Sequence, residues 1–280
     1  MTIKVLQLTI AASALGFAGQ AFAVTWDQQA ERLQLVSASL LDAVPLLAPA
    51  PSGFSVAAKS VVSALPKMNA TVGGKTEQPP QPPVHAVPTA EVSLNRAIGN
   101  VVSVSARAWG GYLPGAAAGA TGMTASCEET IYGGALGGWF SLGYAGKIGA
   151  EVSRQSSHAI VTGGITETNA KDRFDVQTKL TTASLTYAPG ILPGAWIQGQ
   201  RVARDTRTVF EIPGDGTTFR LRDESSLGSA DAGTQVAAGF DFKNNISIAG
   251  AYLHVPERVS MPRFLLGYNL PLGKRQDGAL

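Results

Sequence analysis

The feature that most constrains this chain is a two-residue alternation in which one face is apolar and the other is small rather than charged. Leu142, Tyr144, Gly146, Ile148, Ala150 and Val152 alternate with Ser141, Gly143, Ala145, Lys147, Gly149 and Glu151. Val236, Ala238, Phe240 and Phe242 alternate with Gln235, Ala237, Gly239 and Asp241, and Phe264, Leu266, Tyr268, Leu270 and Leu272 with Arg263, Leu265, Gly267 and Asn269. Successive side chains of a strand point to opposite faces, so each run makes a strand with two unlike sides. A soluble sandwich would bury the apolar side and wash the other with water, which calls for many Lys and Glu. Only 15% of this chain is charged, against about 25% in a typical soluble domain. A face of Gly, Ser, Ala, Thr and Gln suits the crowded interior of a narrow barrel, with the apolar side turned to lipid. The expected fold is all-β: an up-and-down antiparallel transmembrane β-barrel.

Ten strands are expected: Ser52–Lys67, Val84–Ala97, Val101–Leu113, Thr130–Trp139, Leu142–Gln155, Arg173–Tyr187, Ala195–Ile212, Thr217–Phe242, Ile246–Pro256 and Pro262–Leu272. Counts of eight or twelve stay open at this stage. The start of Thr217–Phe242 is polar enough to be loop. Connections alternate between short turns (98–100, 140–141, 188–194, 243–245) and longer polar loops at Met68–Pro83, Pro114–Glu129, Ser156–Asp172 and around Pro213–Gly216. Glu257–Met261 is a short connection on the long-loop side. Bacterial barrels pair short periplasmic turns with longer outer loops, which puts both ends of the barrel on the periplasmic side. Trp139, Phe140, Tyr187, Trp196, Phe242 and Tyr268 lie near the short turns, where barrels carry an aromatic girdle.

Ahead of the strands, Lys4, the apolar run Val5–Ala18 and Ala21-Phe22-Ala23 read as a signal peptide with its cleavage site. Past it there is no further run of about 20 apolar residues that would make a membrane helix. Loss of residues 1–23 removes only Lys4 among the charges and takes the formal net charge from +2 to +1, too little to point to nucleic acid. Thr25-x-x-Gln28 is a capping box before Trp26, Ala30, Leu33, Leu40 and Val44, spaced for a helix over Trp26–Val44. Pro45, Pro49 and Pro51 end it. The expected divisions are a signal peptide at 1–23, a periplasmic helix with a Pro-rich linker at 24–51, a barrel at 52–272 and a polar tail at 273–280. The helix is expected to cap the barrel or enter it as a partial plug.

Glu91, Arg107, Lys147, Glu151, Asp241 and Arg263 fall on the polar faces and are expected to point into the lumen. Against lipid an Arg or Lys costs about 2–4 kcal/mol at mid-depth. These groups either line a polar conduit of mixed sign or pair and fill it. Other motifs carry less. Cys127 is the one cysteine, expected to be an inert loop thiol, since Glu128 and Glu129 disfavour its thiolate. Three histidines, His85, His158 and His254, are too far apart to suggest a metal site. Ser156 shares a strand face with His158, the one pairing that resembles a nucleophile beside its base, and a rim histidine is the plainer reading. Tyr132–Trp139 is Gly-rich without the Lys-Ser/Thr ending of a phosphate loop, and its glycines are expected to permit sheet curvature. Gln78–Pro83 favours a stiff polyproline loop.

The cleavage site Ala21–Ala23, the alternating strands and the final strand Arg263–Leu272 resemble the small Gram-negative outer-membrane β-barrel proteins. The last strand resembles their assembly signal, although a tail, Gly273–Leu280, follows it here. The helix ahead of a barrel is similar to that of hatch barrels of the fatty-acid transporter type, which have more strands. The resemblance implies an outer-membrane location, with membrane lipid and the barrel assembly machinery as partners. The charge and the histidine spacing point to no nucleic acid and no metal, no cofactor is expected, and the resemblance leaves any solute unnamed. The expected function is non-enzymatic: a porin-like narrow channel for small solutes, or a structural barrel. The alternatives are a surface β-protein that binds a partner through its loops, and a lipid-modifying barrel enzyme using His158 with Ser156.

Overall fold

The computed structural model describes residues 44–64, 70–72, 75–77, 84–120, 123–165, 171–211, 218–256 and 259–272. The signal peptide, the helix ahead of Val44, the run Gln78–Pro83 and the tail Gly273–Leu280 lie outside the described residues. No described helix is long and apolar enough to cross a membrane.

The strands are β1 (Gly53–Ala64), β2 (Ala70–Val72), β3 (Lys75–Glu77), β4 (Val84–Ile98), β5 (Val102–Ala120), β6 (Met123–Ser141), β7 (Gly146–Ile165), β8 (Lys171–Pro189), β9 (Ala195–Glu211), β10 (Thr218–Ser225), β11 (Gly233–Asp241), β12 (Ile246–Val255) and β13 (Val259–Pro271). Strands β2 and β3 form a separate small hairpin. The others run β8-β9-β11-β12-β13-β1-β4-β5-β6-β7 and return to β8, every contact antiparallel. This is a closed ring of ten strand positions, and closure leaves no free edge around it. The expected strand Thr217–Phe242 divides in two. Its first part, β10, pairs with residues 204–211 of β9, and its second, β11, with residues 195–202.

Four tight turns join β4–β5, β6–β7, β8–β9 and β11–β12 at one end of the ring. Each holds a residue with positive φ, among them Gly99 at +72° and Asn245 at 69°, conformations that glycine and asparagine adopt most readily. The other end differs from expectation. The segments read as loops at Pro114–Glu129 and Ser156–Asp172 are largely strand, because β5 pairs with β6 up to Ala120↔Met123, and β7 with β8 up to Gly164↔Lys171. Cys127 therefore lies in β6, opposite Ala116 and Val161, and not in a loop. About 9–11 residues suffice for a tilted strand to cross the hydrocarbon. Strands β5 to β8 have 19 or 20, so their far halves stand clear of it and satisfy their backbone by pairing.

The two faces fall as the alternation requires. Phe54, Leu94, Val104, Leu136, Val152, Leu185, Ile197, Val236 and Phe264 all point outward, 43% to 71% exposed, on nine different positions of the ring. An apolar belt of this extent is far larger than a water-soluble surface carries. It faces the acyl chains of a bilayer.

Two aromatics depart from the girdle expected of them. Trp196 is 1% exposed and points inward, and Trp139 also turns inward, onto Gly149. The glycines explain this better than sheet curvature does. A Cβ on Gly133 would lie 2.6 Å from the Trp109 ring, and one on Gly149 2.6 Å from the Trp139 ring. Each indole lies flat over the neighbouring strand where a side chain is missing. Phe140, Phe242 and Tyr268 do stand outward near the tight turns, between 44% and 50% exposed.

Candidate functional site in the barrel lumen

The lumen is occupied by the chain's own segment just ahead of β1. Residues 44–50 have no helix or strand, yet Val44, Leu46, Leu47 and Ala48 are no more than 4% exposed. Prolines 45, 49 and 51 keep the segment out of a helix and deprive three positions of an N–H, so its carbonyls need donors from elsewhere. The wall supplies them. Asn95 Nδ2 donates to Ala50 O (3.1 Å), Arg107 Nη1 to Ala48 O (2.8 Å), Gln198 Nε2 to Leu47 O (3.1 Å) and Gln235 Nε2 to Pro45 O (3.5 Å). A buried carbonyl without a donor is costly, so these four side chains give the segment a defined seat.

The segment has a direction. Ala50 lies by Asn95, near the tight turn that ends β4, while Val44 packs among Val87, Leu253, Val255 and Met261 in the half toward the other end. Leu46 and Ala48 pack on Trp196, Ala237, Ala249 and Leu265. The linker expected on the periplasmic side at 24–51 thus has its last part, 44–51, inside the ring. The plug is extended chain over the described residues, and the helix expected before it falls outside them but for Val44. A cavity of about 40 Å³ remains beside the segment, lined in part by Lys59, Glu91, Trp109, Gln155 and Arg263, room for no more than a few water molecules.

Around the plug runs a chain of charges. Lys59 Nζ meets Glu91 Oε1 at 2.7 Å, Arg107 Nη1 meets the same oxygen at 3.5 Å, and Arg107 Nη2 meets Glu151 Oε2 at 2.8 Å. All four side chains are between 2% and 10% exposed. Two cations face two anions, so the group is neutral and locally paired, as buried charges must be. Arg107, on β5, reaches Glu151, on β7, across β6. Gly137 makes room for this: a Cβ there would lie 2.9 Å from Ser105 Oγ and 3.2 Å from Glu151 Cβ. A second network continues on the far wall. Arg263 Nη1 donates to Gln235 Oε1 (2.6 Å) and its Nε to Ser63 Oγ (3.2 Å), and Gln235 Nε2 donates to Gln200 Oε1 (2.7 Å). On the wall of Arg107 and Glu151, Trp109 Nε1 donates to Gln155 Oε1 (2.8 Å).

Of the six charges expected in the lumen, Glu91, Arg107, Glu151 and Arg263 meet there in these networks. Asp241 lies at the turn end of β11 opposite Ser247. Lys147, half-buried, sits on the first turn-side residues of β7 and makes no ion pair among the described residues. Sequence reasoning placed Gln235 on an inward face without giving it a role, and missed Lys59, Asn95, Gln198 and Gln200. The signal was present, since Ser55, Ala57, Lys59, Val61 and Ser63 alternate with outward residues as the six do. The alternative pairing of Ser156 with His158 is not formed. Both point outward, and His158 Nε2 bonds Asp175 Oδ1 at 2.9 Å, with no bond from Ser156 to His158 among the described residues. His254 Nδ1 pairs with Ser260 Oγ at 2.7 Å, and His85 lies on β4 opposite Ser63. No metal-binding group of three His, Cys, Asp or Glu occurs among the described residues.

No protein-family model and no curated protein matches the chain. Several solved structures have a similar shape. The translocator domain of autotransporter NalP from Neisseria meningitidis is 12% identical, covering 85% of this chain and 94% of its own, with a TM-score of 0.46. The transport unit of the autotransporter AIDA-I from Escherichia coli is 10% identical, covering 85% and 97%, with a TM-score of 0.44. The Pseudomonas putida toluene transporter TodX is 9% identical, covering 94% and 78%, with a TM-score of 0.35. Likeness at this level passes no activity, ligand or partner to this chain. The closed ten-position ring, its lipid-facing belt and its polar, filled interior together make this chain an outer-membrane β-barrel protein.

Proposed function

We propose that the protein is a non-enzymatic, structural outer-membrane barrel held shut by its own chain, rather than an open channel for solutes. The observation that carries this reading is the seating of residues 44–50 in the lumen by four wall side chains. A conduit for small solutes needs a continuous polar path, and here the charges that would line it are spent on one another and on the plug.

The test is single-channel recording of the full chain refolded into planar bilayers. The wild-type protein is expected to give no steady conductance. A variant with Val44–Pro51 replaced by a Gly/Ser stretch of equal length is expected to open in bursts. Steady conductance from the wild-type protein would favour the channel reading instead.

A further inference from the structure

We propose that the outward face of β7, β8, β9 and β10, just beyond the apolar belt, binds phosphate groups of lipid headgroups in the leaflet on the strand-extension side. The argument begins with register. Val152, Leu185, Ile197 and Val236 form the belt on this sector, each more than half exposed. Continuing along the same outward positions, the chain becomes cationic: Arg154, Lys179, Arg201, Arg207, Arg220 and Arg222. Arg201 shares a row with Ala183 and Val152, and Arg154 stands one outward position farther along β7. Arg201 and Arg154 therefore lie where hydrocarbon gives way to headgroups, the depth at which basic side chains meet lipid phosphate, and Lys179, Arg207, Arg222 and Arg220 follow on rows farther out.

Two observations set this face apart from an ordinary solvated rim. First, it is confined to one sector. Across the ring, the outward positions at the corresponding end are Tyr252, His254 and Pro262 on β12 and β13, and Val62, Ala86 and Pro88 on β1 and β4, with no Lys or Arg. Second, the acids on this face balance only part of it: Asp205 lies between Arg207 and Arg222, which face each other in the β9–β10 ladder, and opposite Lys179 on β8. Asp205 is taken bidentately by Arg222 (Nε–Oδ1 3.0 Å, Nη2–Oδ2 3.2 Å), Glu224 also goes to Arg222 (2.9 Å), and Arg207 reaches Asp205 only at 3.9 Å. Asp175 is occupied by His158. Arg154, Lys179 and Arg220 have no ion pair among the described residues. Arg201 is held in place by the carbonyls of Leu227, Ser229 and Ala232 and by the Thr234 hydroxyl, none of which cancels its charge.

The occupant that fits is a phosphorylated lipid, with acyl chains against Val152 and Leu185 and phosphate oxygens against the guanidinium groups. Arginine binds phosphate in a fork geometry well suited to this. The test is native mass spectrometry of the full-length protein extracted from vesicles of phosphatidylcholine containing one-tenth of a phosphorylated glucosamine lipid. Parallel vesicles carry the dephosphorylated form of that lipid. The wild-type protein is expected to retain the phosphorylated lipid at least tenfold more than its dephosphorylated form. The triple variant Arg154→Gln/Lys179→Gln/Arg207→Gln is expected to lose that preference, and Arg96→Gln, at the tight-turn end, to keep it. Cold-detergent gel mobility establishes that each variant has folded. If the triple variant does not fold, raising the salt around wild-type protein is expected to remove the preference and replaces it as the test. Equal retention of the two lipids overturns the proposal, as does unchanged preference in the folded triple variant. Competition by millimolar inorganic phosphate or by a soluble polyanion, with no retention of lipid, would assign the site to a soluble anion and overturn it as well.

Discussion

Arg107→Met is expected to destabilise the folded barrel by about 3–5 kcal/mol, the usual cost of removing one partner from a buried charge pair. Arg107 is 2% exposed and makes three contacts: to Ala48 O, to Glu151 and to Glu91. Their losses are unequal. Glu91 keeps Lys59 at 2.7 Å. Glu151, 10% exposed, loses the cation that holds it, and the Ala48 carbonyl loses its donor inside the lumen. Met fills similar volume, so little of the cost comes from a cavity. At about 1.4 kcal/mol per tenfold change, the folding equilibrium should fall by two to three and a half orders of magnitude. Urea unfolding in phospholipid vesicles, followed by tryptophan fluorescence, reads this directly. The double variant Arg107→Met/Glu151→Gln should recover a coupling energy of about 0.5–3 kcal/mol, because the stranded carboxylate is then neutral. A loss under about 1 kcal/mol in the single variant would refute the reasoning. So would a double variant whose loss is the plain sum of the two, since Arg107 and Glu151 would then not be paired.

Other outcomes follow from the same geometry. Leu266→Lys, in the middle of the lipid-facing belt, is expected to cost about 2–4 kcal/mol in the same unfolding assay, and a change under half a kcal/mol would place Leu266 away from lipid. Gly133→Leu drives a side chain into the Trp109 indole, whose ring would lie 2.6 Å from the new Cβ. The overpacking is expected to cost about 1–3 kcal/mol and to shift tryptophan emission, while the same change at Gly250, where a Cβ meets nothing within 4 Å, is expected to cost less. In a Cys127→Ser background, a membrane-impermeant thiol reagent on intact cells is expected to label Ser260→Cys, beside the β12–β13 connection, and to spare Asn244→Cys in the β11–β12 turn. The reverse pattern would invert the barrel's orientation.

Alternation alone was enough to assign faces in this protein. Val152, Val236 and Leu266 are outward, and Glu91, Arg107 and Arg263 inward, because the two-residue period of a strand is local and survives any error in strand ends. The ten positions were legible for the same reason, since turn residues such as Gly99 and Asn245 punctuate the pattern. The loops at Pro114–Glu129 and Ser156–Asp172 were misread because small and polar residues suit a loop and a strand equally well. Only the pairing of β5 with β6 and of β7 with β8 distinguishes the two. Trp196 was placed at the lipid interface because nothing near it in sequence reveals Gly239, on the neighbouring strand, over which its ring lies.

The plug was beyond local reasoning altogether. Its prolines were visible, but its donors are 59, 151 and 190 residues away along the chain for Arg107, Gln198 and Gln235. A strand's own sequence says which way a side chain points. What it meets there depends on the register of every strand between the partners and on the ring having closed, so the filling of the lumen was decided by the tertiary structure alone.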